Sequence, residues 1–452
     1  MGTAPEANAM PSPRELVGHL VQAALKAADP EAAVRRAVRL EGERLHVAGR
    51  TYDVRRLANI HVIGAGKASA TMARAVEGIL GDRLAGGVVI TKYGYARPTR
   101  RVAVREAGHP VPDEAGVRAT REVVALASRA GPDDLVLALI SGGGSALFVA
   151  PAEGLTLRDL QETTALLLRA GATIHELNAV RKHLSAVKGG QLARHVAPAR
   201  LVALIVSDVV GDSLDVIASG PTVPDPTTFS EAWQVITRHG LAEQVPPAVR
   251  QRLQEGVAGR VPETPKPGDP IFKAVQNAVV AGNRQAAEAA AERARQLGYR
   301  ALVLTTFLEG EAREVGTVLA ALAREMATFD RPLPRPACLV LGGETTVTVR
   351  GDGLGGRNQE MALSAALRLE GLADVVVATL ATDGGDGPTD AAGGIVDGHT
   401  VRLARERHVN VREALARNDS FHALEALDAL LRTGPTGTNV NDLAFVIAGP
   451  AR

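Results

Sequence analysis

Short unbroken apolar runs alternate with helix-patterned stretches along most of the chain, and most of the runs close on glycine. Ile60–Ile63 (IHVI) leads into GAGKASATMARAVEGIL, and Gly87–Thr91 (GVVIT) follows. Leu135–Ile140 (LVLALI) leads into SGGGSAL, ahead of a helix from about Leu157 to Ala170. Leu201–Val206 (LVALIV) leads into SDVVGDSLDVIASGPTVPD. An apolar run bounded by turn residues predicts a strand buried on both faces. Strands of this kind alternating with helices predict a doubly wound parallel sheet. Before them, Pro11 to about Leu40 is helix-patterned with a stop at Asp29-Pro30, and the first dozen residues read as disordered.

The texture changes between Val245 and Asp269, where PPAVRQRLQEGVAGRVPETPKPGDP reads as a linker or surface excursion. Alternation then resumes. Ala278–Ala281 (AVVA) opens into the alanine-rich helix pattern GNRQAAEAAAERARQLGY, followed by Leu302–Leu304. Cys338–Leu341 enters GGETTVTVRGDGLGGRNQE, whose alternating ETTVTVR predicts a half-exposed strand and hence a mixed sheet. Val375–Leu380 and Ala444–Ile447 are the last two strands. The fold class read here is α/β in two domains: a Rossmann-like doubly wound parallel sheet over residues 12–260, and a mixed sheet with flanking helices over 275–450. The active site is expected in the cleft between them.

Composition narrows the field. A chain of 452 residues exceeds one ordinary core, which agrees with two domains. With 51 basic against 50 acidic residues, nothing points to nucleic acid or a membrane surface. Only seven of the basic residues are lysines, so a lysine at a special position is informative. The lone Cys338 lies inside an apolar run, which excludes disulfides and argues against a thiol nucleophile. No stretch of 18 apolar residues occurs and the N-terminus has no signal pattern, so a cytoplasmic protein is expected; a homo-oligomer is left open.

Five glycine-bearing loops follow five apolar runs: Gly64–Ser69, Ser141–Ala146, Ser207–Gly220, Gly342–Gln359 and 381–394. Glycine lets the backbone approach a ligand and aim N–H groups at anions. GAGKAS is neither a phosphate-binding P-loop, since His61 and Ala68 break that pattern, nor a full dinucleotide fingerprint, since Ser69 replaces the third glycine. It leaves Lys67 at a helix start, where a cation is unfavourable unless an anion binds nearby. Ser141, Gly142, Gly143, Gly144 and Ser145 predict a phosphate nest, although a flexible connector has the same composition. Asp208, with Asp212 and Asp215 close by, suits a proton acceptor, a metal ligand or a helix cap. Arg357 presents a planar fork for a carboxylate or phosphate, while Asn358, Gln359 and Glu360 suit a helix start. His109 is a weaker candidate. ATDGGDGPTDAAGG carries Asp383, Asp386 and Asp390 at a strand end, a metal site or a solvated acidic turn.

Together, GAGKAS, SGGGSAL, SDVVGD with SGPTVPD, GGETTV with GGRNQE, and ATDGGDGPTDAAGG resemble the class II glycerate kinases, whose C-terminal half is the MOFRL domain. The motifs follow the family's order from about residue 12 to 450. The resemblance implies Mg²⁺- and ATP-dependent phosphorylation of D-glycerate to 2-phosphoglycerate, with the matching Lys67 and Arg357 as functional residues. Some relatives carry the label hydroxypyruvate reductase, which is the alternative, beside a non-catalytic sugar-phosphate-binding regulator. On the kinase reading, Lys67 and Arg357 share the transferring phosphoryl group and the glycerate carboxylate. Asp208 or Asp383 orients or deprotonates the 2-hydroxyl, Asp383 and Asp386 are the metal candidates, and Ser141–Ser145 cradles the nucleotide phosphates. Closure over the ligands is a further expectation, with 245–269 as a candidate hinge.

Overall fold

Six strands form one sheet in the spatial order Val102–Ala107, Gly86–Lys92, Ile60–Ala65, Leu135–Ser141, Arg200–Val206, Val275–Ala281. Numbered along the chain this is 3-2-1-4-5-6, the dinucleotide-fold order, and the first five of these neighbours pair in parallel. Leu135–Ser141 is buried throughout and Arg200–Val206 is buried but for its first residue, as their unbroken apolar runs require. The computed structural model describes residues 10–451. Most of the opening dozen read as disordered, residues 1–9, lies outside the described residues.

The chain divides into two compact units, one over Pro30–Val280 and one uniting residues up to Asp29 with those from Ala281 onward. This corrects two expectations. Val275–Ala281 is an edge strand of the first sheet, whereas Ala278–Ala281 was read as opening the second domain. The first helix, Pro13–Ala28, packs with the C-terminal unit on the helix Asn283–Gln296. Leu16, Val17, Leu20 and Val21 supply its buried stripe. The facing helix offers Ala286, Ala287, Ala290, Ala291 and Ala294, small enough for a close approach. Tyr299 Oη donates to the Pro11 carbonyl at 2.7 Å, and Thr438 Oγ1 to that of Ala28 at 2.8 Å.

The linker read at 245–269 is also corrected. Pro247–Val257 is a helix with Val249 and Leu253 in a buried cluster beside Leu167, Val180, Phe229 and Ile236. A Cβ on Gly256 would sit 2.1 Å from the Phe229 ring, so the helix lies directly on that aromatic. Proline at its first turn helped the segment resemble a linker, although proline is well placed there. Before the parallel sheet lies an unforeseen antiparallel meander, Val38–Glu41, Arg44–Val47 and Arg50–Asp53.

The C-terminal unit holds a mixed sheet ordered Arg300–Leu308, Ala337–Gly343, Asp442–Ala448, Val375–Ala381, Gly393–Asp397, Leu430–Leu431. The last long strand inserts antiparallel between Ala337–Gly343 and Val375–Ala381. ETTVTVR, expected as the strand that mixes the sheet, is irregular beyond Gly343 apart from one bridge at Thr346. Its polar groups go elsewhere. Thr346 N–H donates to the Gly310 carbonyl, Thr348 N–H to the Glu311 carboxylate and Arg350 N–H to Asn418 Oδ1. Alternation here reflects a segment tied down by side chains rather than a ladder.

The helix Arg357–Leu369 packs against Ala312–Phe329, and their contact is set by Gly316. A Cβ there would lie 2.2 Å from the Met361 carbonyl oxygen. Gly316→Ala is therefore expected to force the helices apart and cost about 2 kcal/mol, read by denaturant unfolding; a loss within error of zero would show that the contact yields freely.

Candidate active site

In open α/β sheets ligands bind beyond the carboxyl ends of the strands, where the strand order reverses. Here that point lies between Ile60–Ala65 and Leu135–Ser141, and two of the glycine loops meet at it. Gly66 takes φ +141°, and a Cβ on it would fall 2.1 Å from Ser141 Oγ. Only glycine fits there. The two turns are joined: Lys67 N–H donates to the Gly142 carbonyl at 2.9 Å and Ala68 N–H to Ser141 Oγ at 3.0 Å. Ser141, read as part of the phosphate cradle, is buried and braces the Lys67 turn from behind.

Three ionisable side chains close on the next two glycines. A Cβ on Gly142 would lie 2.1 Å from Asp208 Oδ2. One on Gly143, which is left-handed at φ +82°, would lie 3.0 Å from the His109 ring and 3.3 Å from Lys67 Cγ. Burial pushes His109 below its usual value, and the nearby cations Lys67 and Lys92 add to the effect, so the imidazole is held neutral. Among the described residues the Lys67 ammonium has no hydrogen-bond or ion-pair partner, and no group accepts from the N–H of Gly143, Gly144 or Ser145. A free ammonium beside three open amides is an arrangement that attracts an anion.

The layer beneath this loop was not legible beforehand. Ser145 Oγ lies 3.0 Å from Ser219 Oγ, which reaches Asn178 Oδ1 at 3.0 Å. Ala218, Ser219 and Gly220 are all left-handed, at φ 51°, 60° and 63°. Such strain persists where surrounding contacts impose it. Here the N–H groups of Gly189 and Gly190 hold the carbonyls of Ser219 and Gly220 at 2.9 and 2.8 Å. Lys188 Nζ donates to the carbonyls of Ser145 (2.8 Å) and Phe148 (3.0 Å). Burial, then the charge of Arg181, pushes it down to about 7. Lys182 is buried between Asp225 at 3.3 Å and Asp215 at 3.4 Å, so Asp215 serves that pair. One signal was available: Asn178 and Lys182 lie four residues apart, on one face of a helix whose Leu177, Ala179 and Val180 are also buried.

The C-terminal unit carries a second cluster, centred on Arg357. Asp442 starts its inserted strand opposite Gly343 and Ala381, the last residues of both neighbours. Arg357 grips it with two bonds, Nε to Oδ2 at 2.5 Å and Nη2 to Oδ1 at 3.1 Å, and reaches Glu344 Oε1 at 2.9 Å. Burial opposes its charge, but Asp442, Glu344 and Asp386 hold the guanidinium above its usual value. Burial in turn raises Asp442 above the ordinary carboxylate range despite Arg357. The anion expected on this fork is thus first a pair of the chain's own carboxylates, and two of the five N–H donors remain for a ligand. Asp442 heads an apolar run, and that run absorbed the sequence reading.

The aspartates of 381–394 do not act as one group. Asp386 is buried, and its Oδ2 accepts the Gln359 N–H at 2.8 Å while Asn358 Nδ2 reaches Oδ1 at 3.4 Å. It caps the helix Arg357–Leu369, whose own N-cap, Gly356, has no side chain to do so. Burial pushes its carboxyl up to about 6. Any Mg²⁺ it held would compete with the helix start, from which both oxygens already accept. Asp390 is exposed, 3.6 Å from Arg432. Asp383 is exposed, its Oδ1 accepting only the Gly385 N–H at 3.2 Å, and it fits a hydrated ion that takes a single carboxylate. Among the described residues no three His, Cys, Asp or Glu are arranged to hold a metal ion. Asn358, Gln359 and Glu360 are buried helix-start residues, and Glu360 pairs with Arg313. Cys338 is buried with its thiol pushed up to about 12, and is no nucleophile.

Asp386 has a consequence for stability. Its folded value near 6 exceeds the unfolded 3.8, so the native chain holds this proton more tightly. The term favours the fold below pH 3.8 and is lost as pH rises to 6, by roughly 3 kcal/mol in all. Asp386→Asn keeps a helix-capping oxygen without the charge. Its melting temperature relative to wild type is expected to rise from pH 4 to pH 7; a difference independent of pH would contradict the assignment.

Residues 16–254 match the family described as a domain of unknown function (DUF4147), and residues 337–442 match the MOFRL family. A protein of Pyrococcus horikoshii named glycerate 2-kinase is 47% identical, over 97% of this chain and 98% of its own length. One of Agrobacterium vitis named putative hydroxypyruvate reductase is 43% identical, over 97% of this chain and 95% of its own. Among solved structures, the glycerate kinase of Thermotoga maritima matches with a TM-score of 0.86 and 42% identity, over 96% of this chain and 99% of that one. Among the described residues no helix is long and apolar enough to cross a membrane. By these matches across both units, the chain belongs to the two-domain glycerate kinase family with a C-terminal MOFRL domain.

Proposed function

We propose that the protein is a glycerate 2-kinase, transferring the γ-phosphoryl group of ATP to the 2-hydroxyl of D-glycerate to give 2-phosphoglycerate and ADP in the cytoplasm. The observation that carries this reading is Lys67, unpaired among the described residues, beside the open amides of Gly143, Gly144 and Ser145 at the reversal of strand order. Phosphoryl transfer asks a protein mainly for positioning and for neutralisation of spread negative charge. The amides receive nucleotide phosphate oxygens, and Lys67 neutralises the moving phosphoryl group. Asp208, against Gly142, accepts the proton of the 2-hydroxyl as its oxygen bonds to phosphorus and the bond to the β-phosphate bridge breaks. Arg357 offers its two remaining donors to the glycerate carboxylate. Mg²⁺, when bound, shields the phosphate charges; Asp383 would hold it, with the other positions left to water and phosphate.

The name of the Agrobacterium relative makes a reductase the reading to test against. The strand order is shared with dinucleotide enzymes, but Ser69 stands at the third fingerprint glycine and no acidic residue lies in Gly86–Lys92 to hold a ribose. Product formation from ATP, Mg²⁺ and D-glycerate, set against NADH oxidation with hydroxypyruvate, separates the two. Phosphorus NMR of the product decides between the 2- and 3-phosphate.

Lys67→Ala is expected to lower kcat/KM for glycerate phosphorylation by about 100-fold with the fold intact. Arg357→Ala should lower it comparably and also reduce stability, since it strands the buried Asp442 carboxylate. Activities within a few-fold of wild type for both would overturn the assignment. Gly143→Ala, strained at φ +82°, should raise KM for ATP by about tenfold while leaving KM for glycerate nearly unchanged.

A further inference from the structure

Within the first unit a cavity of about 500 Å³ borders the glycine loop. Ser145 of that loop and Pro110, next to His109, both line it. Its other walls are mostly apolar, with Val149, Leu160, Leu167 and Val180 prominent. D-Glycerate has no use for such a space: each of its three carbons carries oxygen, and it offers no apolar face to bury. The size and lining suit an aromatic ring system with a polar edge. Gln161 lines the cavity too, and its Nε2 is spent on the Pro112 carbonyl at 2.7 Å, which leaves Oε1 to accept from an exocyclic amine.

The cavity is also lined by basic side chains. Arg181 lines it, half-buried, and has no hydrogen-bond or ion-pair partner among the described residues. Burial alone pushes its guanidinium below its usual value. Lys188, lining the same cavity, donates to the carbonyls of Ser145 and Phe148. A guanidinium with no carboxylate beside it among the described residues is costly in an apolar wall unless an anion arrives with the ligand, and its charge already disfavours the protonated form of Lys188. Elsewhere in this layer the chain pairs its buried lysine: Lys182 has two aspartates.

We propose that this cavity is the nucleoside subsite, taking the purine base and ribose of the phosphoryl donor while Arg181 meets the phosphates on their way to Gly143–Ser145. The inference rests on the kinase reading above and adds to it the source of donor selectivity. A donor without a base, such as inorganic tripolyphosphate, leaves the cavity empty and should be used poorly.

Thr164 is half-buried, lines the cavity and makes no side-chain hydrogen bond, so Thr164→Trp fills the space with little cost to the helix. ADP binding to the full chain by calorimetry, with KM values for ATP and D-glycerate, tests the proposal. Thr164→Trp and Arg181→Gln are each expected to weaken ADP binding and raise KM for ATP by about tenfold or more, with KM for glycerate nearly unchanged. Arg181→Lys should recover part of the loss. If Thr164→Trp fails to fold, Leu168→Trp, at an exposed lining position, replaces it. ADP binding within twofold of wild type in both variants overturns the subsite, as does a wild-type chain that binds no ADP. Wild-type ADP binding that these variants weaken, without glycerate turnover, upholds the subsite and overturns the kinase reading alone.

Discussion

The close approach of two strand ends governs the first unit. Gly66 lies against Ser141 so tightly that no side chain fits between them, and two hydrogen bonds join the turns across that contact. This contact brings Lys67 over Gly143, and the same parallel register carries Asp208 to Gly142 from the next strand. Three side chains distant in sequence thus converge because adjacent parallel strands end at one level. Their chemistry follows from the sheet. A cation, a neutral imidazole and a carboxylate face amides that the chain itself leaves open.

The two units handle charge differently. Around the glycine loop of the first, Lys67, Arg181 and Lys188 have no carboxylate partner among the described residues. In the second, Arg357 is already held by Asp442 and Glu344, and Asp386 is spent capping the helix that presents it. The first arrangement leaves positive charge uncompensated within the fold. The second fixes the direction of one guanidinium before any ligand does, which lowers the entropy lost on binding.

How far the sequence could be read depended on the range of the interactions involved. Strands such as Leu135–Ser141 were legible because burial on both faces demands an unbroken apolar run. Lys67 stood out because a cation at a helix start conflicts with the local dipole. Asp386 was read as a metal candidate and its helix-capping role was missed, because an acidic residue among glycines looks the same whether it holds an ion or caps a helix 27 residues away. Asp442, Lys182 and Lys188 lay within apolar or helical patterns, and their partners are 33 to 85 residues distant. The helix Pro247–Val257 passed for a linker because its prolines were legible and its packing on Phe229 was not.

By itself, the sequence determined the alternation of strand and helix, the loops that end on glycine, the lysine set at a helix start and the family to which these motifs point. These are local properties, set by side-chain periodicity and backbone permissiveness. Tertiary structure decided the strand order 3-2-1-4-5-6, the transfer of the first helix to the C-terminal unit, and which charged groups are paired and which are left open. Those outcomes depend on which surfaces bury one another. An ion pair or an orphaned charge exists only once distant segments have been brought within a few ångströms.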